Sequence, residues 1–187
     1  MNVVGLLLAA GRGSRMGMPK ALVRSASGVP WIQSSHDVLL QGGCEAVIVV
    51  VGAQAEAVRL LIPAVRTVRA SDWELGMGES LAAGIRAVQA QFPAAEALVV
   101  HLVDLPDVGS DVVARVLEHA SGDALMRARF GDHVGHPVLI GKSHWPGLLE
   151  GLHGDEGARR YLVAHGATTV DCTDLADGHD VDTPEGI

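Results

Sequence analysis

Aromatic residues, cysteine and positive charge are all scarce in this sequence. Aromatic side chains make up 3% of the 187 residues, and the formal net charge at pH 7 is −8. Proteins that bind nucleic acid need a basic surface or aromatic stacking platforms, so this composition argues against a nucleic-acid partner. The two cysteines, Cys44 and Cys172, fit neither a CxxC motif nor a metal-ligand spacing. We therefore expect a reduced cytoplasmic protein.

The sequence also lacks a segment that could cross a membrane. Its apolar runs are far shorter than the roughly 20 residues that a transmembrane helix needs. The first of them, Val3–Ala10, has no basic segment before it and so does not resemble a secretory signal. We therefore expect no membrane partner.

Short apolar runs alternate with helical patterns through the first two thirds of the chain. Val3–Leu8, Ala46–Val51 and Ala97–Val103 are typical of buried parallel strands. Helical patterns between them predict an α/β fold with a largely parallel sheet. In the last third, residues 124–130 alternate with period two, and GHPVLIG predicts another short strand, so the sheet is expected to be mixed. We expect one domain over residues 1–187.

The first predicted strand leads into a loop, residues 9–20, that combines small residues with the cations Arg12, Arg15 and Lys20. Glycines expose backbone N–H groups and allow the close approach that a phosphate chain needs, and the cations add positive charge. The loop is neither a GxGxxG fingerprint, because Met16 stands at the third glycine position, nor a P-loop, because GKS and GKT are absent.

These residues resemble a known family. LLLAAGRGSRMGMPKAL is similar to the signature LAAGxGxRMGxxKxL of nucleotidyltransferases with a Rossmann-like fold. SDWELGMGESLAAGI, LVDLPD, GHPVLIG, GDEGARRYL and DVDTPEGI extend the resemblance over nearly the whole chain. They narrow it to the MobA-like NTP transferases and, within them, to the molybdenum cofactor cytidylyltransferase (MocA)-like group. The resemblance implies a three-layer α/β/α sandwich with a mostly parallel, mixed sheet.

The resemblance also implies the site residues. The catalytic residues would be Arg15, Lys20 and Asp104, and the nucleotide would be bound by Ala9, Ala10, Gly11, Arg12, Gly13, Gly78 and Ser80. Ser80 would also cap the following helix. Asp104 and Asp182 would bind Mg²⁺, which prefers one or two carboxylates together with phosphate oxygens and water. Leu105 departs from the Asp-Gln-Pro pattern of many relatives, which weakens any inference about the acceptor.

The implied reaction is transfer of CMP from CTP to molybdenum-molybdopterin, with release of pyrophosphate and a possible molybdoenzyme client. Ala10 favours CTP, because the guanylyl-transferring branch has glycine there and a methyl group restricts room near the base. A GTP- or sugar-phosphate-type transferase and a catalytically silent nucleotide-binding maturation factor for a molybdoenzyme stay open.

Further side chains could contact the acceptor, or could face solvent or pack in the interior. They are His136 before Pro137, Arg127 and Arg129 on one strand face, and Arg159 and Arg160 in GDEGARR. Trp73 could cover the nucleotide or merely pack. Asp155 in the same GDEGARR segment is expected to cap a helix.

Overall fold

A computed structural model describes residues 1–183; residues 184–187, the end of the DVDTPEGI motif and of the expected domain, lie outside the described residues. The strands are β1 (Val3–Ala9), β2 (Ala46–Val51), β3 (Thr67–Arg69), β4 (Ala97–Leu102), β5 (Leu125–Phe130), β6 (His133–Gly141) and β7 (Thr168–Asp171). The α-helices are α1 (Trp31–Gln41), α2 (Ala55–Leu61), α3 (Met77–Gln91), α4 (Ser110–Leu117), α5 (Trp145–Gly151) and α6 (Arg159–Ala164).

The seven strands form one sheet in the order β3-β2-β1-β4-β6-β5-β7. Parallel pairing joins β3, β2, β1 and β4, and also joins β5 to β7. β6 pairs antiparallel with both β4 and β5, so among the described strands it alone runs against the rest. The predicted mixed, mostly parallel sheet is confirmed.

Apolar side chains cover both faces of the sheet. One core packs α1, α2 and α4 against the sheet, through residues such as Ile32, Val58 and Val112. The other packs α3, α5 and α6 against the opposite face, through residues such as Ile85 and Trp145. Because β1 and β4 are buried on both sides, their sequences are apolar without alternation, except for the buried His101 in β4. The result is the expected α/β/α sandwich.

The helix boundaries follow local chemistry, with one correction. α1 begins after Pro30, whose ring favours a helix start, and ends at Gly42. α3 begins at Met77 and not at Ser80, so the prediction that Ser80 caps the helix is wrong. Gly76 occupies the capping position with φ 129°, a conformation that favours glycine, and Ser80 lies in the first turn. In residues 1–183 no helix is long and apolar enough to span a bilayer.

The sheet topology places the candidate site. The chain leaves β1 for β2 on one side, and β4 lies on the other side, so the connections diverge at the carboxyl end of β1. Ligands of open α/β sheets bind at such a switch point. The loop after β1 and the turn after β4 that carries Asp104 meet there.

Candidate functional site

A cavity of about 510 Å³ opens at the carboxyl ends of β1 and β4. All the predicted site residues except Gly78 line it: Ala9, Ala10, Gly11, Arg12, Gly13, Arg15, Lys20, Ser80, Asp104 and Asp182. The structure therefore brings together the first loop, the start of α3, the turn after β4 and the C-terminal segment. These pieces are spread over more than 160 positions of the sequence.

The loop after β1 needs glycine where it folds on itself. Gly13 has φ +61°, and a Cβ there would lie 2.0 Å from the carbonyl oxygen of Met18. A larger residue would have to push the loop open. Its tight path keeps the small residues Gly11 and Gly13 on the cavity wall, as a phosphate-binding backbone requires.

Gly78 does not line the cavity, in contrast to the prediction that it binds the nucleotide. It packs in the first turn of α3 against the following part of the chain, where a Cβ would lie 3.0 Å from the carbonyl oxygen of Gly154. The GMG motif therefore joins α3 to the segment around residue 154. Asp155 in that segment makes no helix-capping hydrogen bond; it lies in a short 3₁₀ turn, Gly154–Glu156, and reaches the cavity.

Trp73 forms a wall of the cavity. A Cβ on Gly52 would lie 2.6 Å from the Trp73 ring and 2.9 Å from the Ala10 methyl group, so the three residues pack tightly together. The Arg12 guanidinium lies 5.4 Å from the centre of the Trp73 ring, which is cation–π distance, and 3.7 Å from a Glu74 carboxylate oxygen. The contacts join the first loop to the segment before α3 across the cavity mouth.

Lys20 lies between two carboxylates at the floor of the cavity. Its Nζ donates to Asp104 at 2.7 Å and to Asp182 at 2.5 Å. Burial disfavours the ammonium, but these hydrogen bonds and charges outweigh it and raise the pKa of Lys20. Arg15 also donates to Asp182, at 2.5 Å. The Lys20 hydrogen bond is the main cause of the lowered pKa of Asp182, which stays ionised.

A third carboxylate, Asp180, joins this group. One oxygen each from Asp104, Asp180 and Asp182 lie within 4.8 Å of one another. Asp104 Oδ1 is buried and, in the described part of the chain, has no hydrogen-bond partner. Hard divalent cations such as Mg²⁺ and Mn²⁺ prefer such oxygen donors, so the residues present fit a divalent metal.

Sequence reasoning missed Asp180, although a signal was present. Asp180 and Asp182 are two positions apart, and residues at that spacing lie on one side of an extended segment. The segment is held beside β4, where the Val181 N–H donates to the Asp104 carbonyl oxygen at 3.0 Å. Asp107 further anchors it by accepting from the N–H groups of Asp177 and Gly178 at 3.0 and 2.9 Å.

A second cavity, of about 750 Å³, adjoins the first and shares Leu8, Met77 and Asp155 with it. It is lined by Arg127 and His136 from the sheet and by Arg159 and Arg160 from α6. Burial, and then the charge of Arg127, lower the pKa of His136 to about 4, so this imidazole is neutral at pH 7.

Arg127 and Arg129 do not both face this cavity. Arg129 pairs with Asp171 of β7 at 2.5 Å. Only Arg127 of the two lines the cavity. The predicted shared strand face is confirmed, because β5 pairs with β7 without a break from Met126 to Arg129, but the lining of the cavity does not extend to Arg129.

Residues 5–169 match the family model of the MobA-like NTP transferase domain. The chain belongs to the MobA-like NTP transferase family. It is therefore a protein of the nucleotidyltransferase type, and the family resemblance noted in the sequence is confirmed.

Two curated relatives of this chain have names that do not mention nucleotidyl transfer. Nicotine blue oxidoreductase of Paenarthrobacter nicotinovorans is 34% identical over 98% of this chain and 93% of its own. The purine catabolism protein PucB of Bacillus subtilis is 32% identical over 61% of this chain and 55% of its own.

One solved structure has the same fold as this chain and is also appreciably similar to it in sequence. Rv0371c of Mycobacterium tuberculosis superimposes with a TM-score of 0.80 at 30% identity, over 99% of this chain and 94% of its own. The same protein has been solved in complex with manganese; that structure has a TM-score of 0.72 at 27% identity, with 91% and 89% of the two chains covered.

Proposed function

We propose that this protein transfers CMP from CTP to a phosphorylated acceptor, molybdenum-molybdopterin, and releases pyrophosphate. The observation that carries the proposal is the convergence of Asp104, Asp180 and Asp182 with Lys20 and Arg15 beside the glycine loop. This arrangement offers carboxylates for a metal and cations for a triphosphate, and nucleotidyl transfer needs both.

The chain's own residues would act by position and charge. The backbone of residues 9–13 would hold the phosphates, and Lys20 and Arg15 would turn from the carboxylates to the phosphate oxygens. Mg²⁺ held by Asp104, Asp180 and Asp182 would supply charge neutralisation. The phosphate of the acceptor is already anionic at neutral pH, so the attack on the α-phosphorus needs no general base. Catalysis would come from orientation and electrostatic stabilisation.

The preference for CTP would come from the wall of the first cavity. Ala10 and the Trp73 ring pack against Gly52 and leave no space behind them. A pyrimidine needs less room there than a purine, which supports CTP over GTP.

The molybdopterin acceptor draws support from the family and from the second cavity, which begins where the first cavity ends. A relative named for purine catabolism agrees with a client enzyme that acts on heterocycles. Both cysteines are free and buried, as is usual in a reducing compartment such as the cytoplasm.

The test is pyrophosphate release from each of the four nucleoside triphosphates, with Mg²⁺ and with or without molybdenum-molybdopterin. We expect release only with CTP and acceptor. Asp104→Asn should lower the rate by at least about a hundredfold, the usual cost of removing an electrostatic group from such a site. Asp132→Asn, an exposed carboxylate outside both cavities, serves as the control. Turnover with GTP alone, or full activity of Asp104→Asn, contradicts the proposal.

A second candidate function is an oxidoreductase, because the relative that covers almost the whole chain carries that name. A nicotinamide dinucleotide also contains a diphosphate that the glycine loop could hold. The two functions are distinguished by measuring the binding of NADH and of NADPH beside pyrophosphate release from the triphosphates. Tight binding of either with no triphosphate turnover would favour the oxidoreductase.

A further inference from the structure

Two arginines that line the second cavity, Arg127 and Arg159, form no ion pair within residues 1–183, although Asp155 and Glu156 also line it. Among the described residues, neither Arg127 nor Arg159 has a carboxylate oxygen within 4.0 Å, whereas Arg160 pairs with Glu156 at 3.7 Å. Arg127 Nη2 donates to the carbonyl oxygen of Val134, but its Nε is buried without a hydrogen-bond partner. A buried donor without a partner is costly, and a bound anion would satisfy it.

The two guanidinium groups are close enough to affect each other. Burial, and then the charge of Arg159, lower the pKa of Arg127. Arg127 is fixed on β5, and Arg159 is exposed at the start of α6 on the other side of the cavity. The two guanidinium groups repel each other, and an anion bound between them would attract both and so offset that repulsion.

The floor of the same cavity is apolar. Val100, Val138, Ile140 and Leu162 line it and belong to the buried core on this face of the sheet. Such a surface binds a hydrophobic or flat body, while the arginines at the wall bind a charge. The cavity therefore fits an amphipathic anion.

The Arg127 position is remote from the triphosphate loop. The strand registers place Leu6, Val100, Val138 and Arg127 in one row across the sheet. Three strand spacings put the Arg127 backbone about 14 Å from β1, and the loop starts about 10 Å farther along β1. That separation exceeds the reach of an arginine side chain, so an anion on Arg127 is not part of the triphosphate.

We infer that Arg127 and Arg159 bind a second anionic group of the acceptor, separate from the phosphate that attacks the nucleotide. This inference rests on the proposed transferase function. The acceptor class is an elongated molecule with an apolar body, a phosphate at one end and another anion at the other. A small acceptor with a single phosphate would leave Arg127 and Arg159 unused.

The test uses a pair of fluorescent probes and no turnover. 8-Anilinonaphthalene-1-sulfonate joins a flat apolar body to one anion, and N-phenyl-1-naphthylamine is the same body without the sulfonate. We expect the sulfonate probe to bind in the presence of saturating Mg²⁺ and CTP. Arg127→Gln and Arg159→Gln should each weaken that binding about tenfold, with the uncharged probe unaffected.

Arg129→Gln is the matched control, because Arg129 lies two residues from Arg127 but pairs with Asp171 outside the cavity. It should change the affinity for the sulfonate probe less than twofold. Displacement of this probe by CTP, or wild-type affinity in Arg127→Gln and Arg159→Gln, would overturn the inference. Arg159 is exposed, so its variant keeps the test valid if Arg127→Gln does not fold. If the protein proves to have no transferase activity, the proposed function fails, but the probe-binding results are measured independently. The two failures can therefore be told apart.

Discussion

At the scale of single residues, Lys20 occupies the place between Asp104 and Asp182 where a divalent cation would lie. Its two hydrogen bonds, at 2.7 and 2.5 Å, neutralise carboxylates that would otherwise repel each other. A metal must compete with this ammonium, and triphosphate oxygens would relieve the competition by attracting Lys20. Metal binding is therefore expected to be weak without nucleotide and strong with it.

A variant without the Lys20 ammonium tests whether Lys20 competes with the metal for the carboxylates. Lys20→Met should bind free Mn²⁺ at least about tenfold more tightly than the wild type without nucleotide, because an uncompensated pair of carboxylates remains. Nucleotide should increase the affinity of this variant for Mn²⁺ by a smaller factor than in the wild type, because phosphate oxygens still bind the metal but no ammonium has to be displaced. Titration followed by electron paramagnetic resonance measures free Mn²⁺ directly.

Lys142→Met is the control for this substitution. The Lys142 Nζ donates to the Pro93 carbonyl oxygen near the amino end of β4, whereas the site lies at its carboxyl end, so its loss removes the same charge at a distance from the site. Equal Mn²⁺ affinities for Lys20→Met and wild type would contradict the expected competition.

Asp180 gives a second prediction at this scale. Asp180→Asn keeps the size of the side chain but removes one of the three carboxylate charges, so Mn²⁺ affinity in the presence of CTP should fall about tenfold. Asp177→Asn, on the same segment but outside the cluster, should leave it within twofold. The measurement is isothermal titration calorimetry, and a wild-type affinity in Asp180→Asn would remove this residue from the metal site.

At the scale of elements, the segment after β7 carries two of the three clustered carboxylates, but its described residues form neither a strand nor a helix. It is held by side-chain contacts: Asp107 binds the backbone at residues 177 and 178, and Arg115 pairs with Asp174. Backbone pairing between Val181 and Asp104 completes the attachment. The positions of Asp180 and Asp182 thus depend on these polar contacts and on the packing of Leu175, Ala176 and Val181 against the core.

Asp107 is the sharpest test of that dependence. Asp107→Ala removes both accepted hydrogen bonds, so the segment should detach and Mn²⁺ affinity should fall about fivefold, while the helical circular dichroism stays unchanged. Asp107→Asn retains an oxygen acceptor and should stay close to wild type. Identical affinities for the alanine and asparagine variants would show that Asp107 does not position Asp180 and Asp182.

The sequence predicted the regular elements well because each buried strand is a short apolar run. β2 lies at the predicted residues, and β1 and β4 differ by one residue. The start of α3 was wrong because Gly76, and not the serine with the better capping chemistry, precedes the helix. Tertiary packing against the Gly154 segment outweighed local preference there.

The candidate site was predicted less completely. The loop cations and Asp104 stand in recognisable motifs, but the second cavity depends on which sheet neighbours face each other. No sequence pattern shows that Arg127 and Arg159 line one cavity, or that Arg129 lies outside its lining and pairs with Asp171. Such facts follow from strand order and register, which single-sequence patterns leave open.

At the scale of the whole molecule, two histidines make the fold sensitive to acid. Burial lowers the pKa of His101 to about 3, with a smaller contribution from His136, and burial and Arg127 lower that of His136 to about 4. His101 is fully buried, and neither ring nitrogen has a hydrogen-bond partner in residues 1–183. Both residues are therefore neutral in the folded protein at pH 5.

The free energy of unfolding should consequently decrease as the pH falls from 6.5 towards 4. In that window the unfolded chain binds protons that the folded chain does not, so folding is opposed. One such histidine costs about 2 kcal/mol between pH 6.5 and pH 5. Urea unfolding at pH 7 and pH 5 measures the difference, and His101→Leu should reduce it by about that amount. If the free energy of unfolding changes between pH 7 and pH 5 by the same amount in His101→Leu as in the wild type, His101 is protonated in the folded protein at pH 5.

The meeting of Lys20 with Asp182, 162 positions apart, has a consequence for incomplete chains. Every strand and helix found in residues 1–183 precedes Asp180 in the sequence. A copy cut or stalled before that point would keep its hydrophobic layers and its glycine loop, yet would have only one of the three carboxylates. Such a fragment could bind a triphosphate without turning it over, and would compete with intact copies for nucleotide.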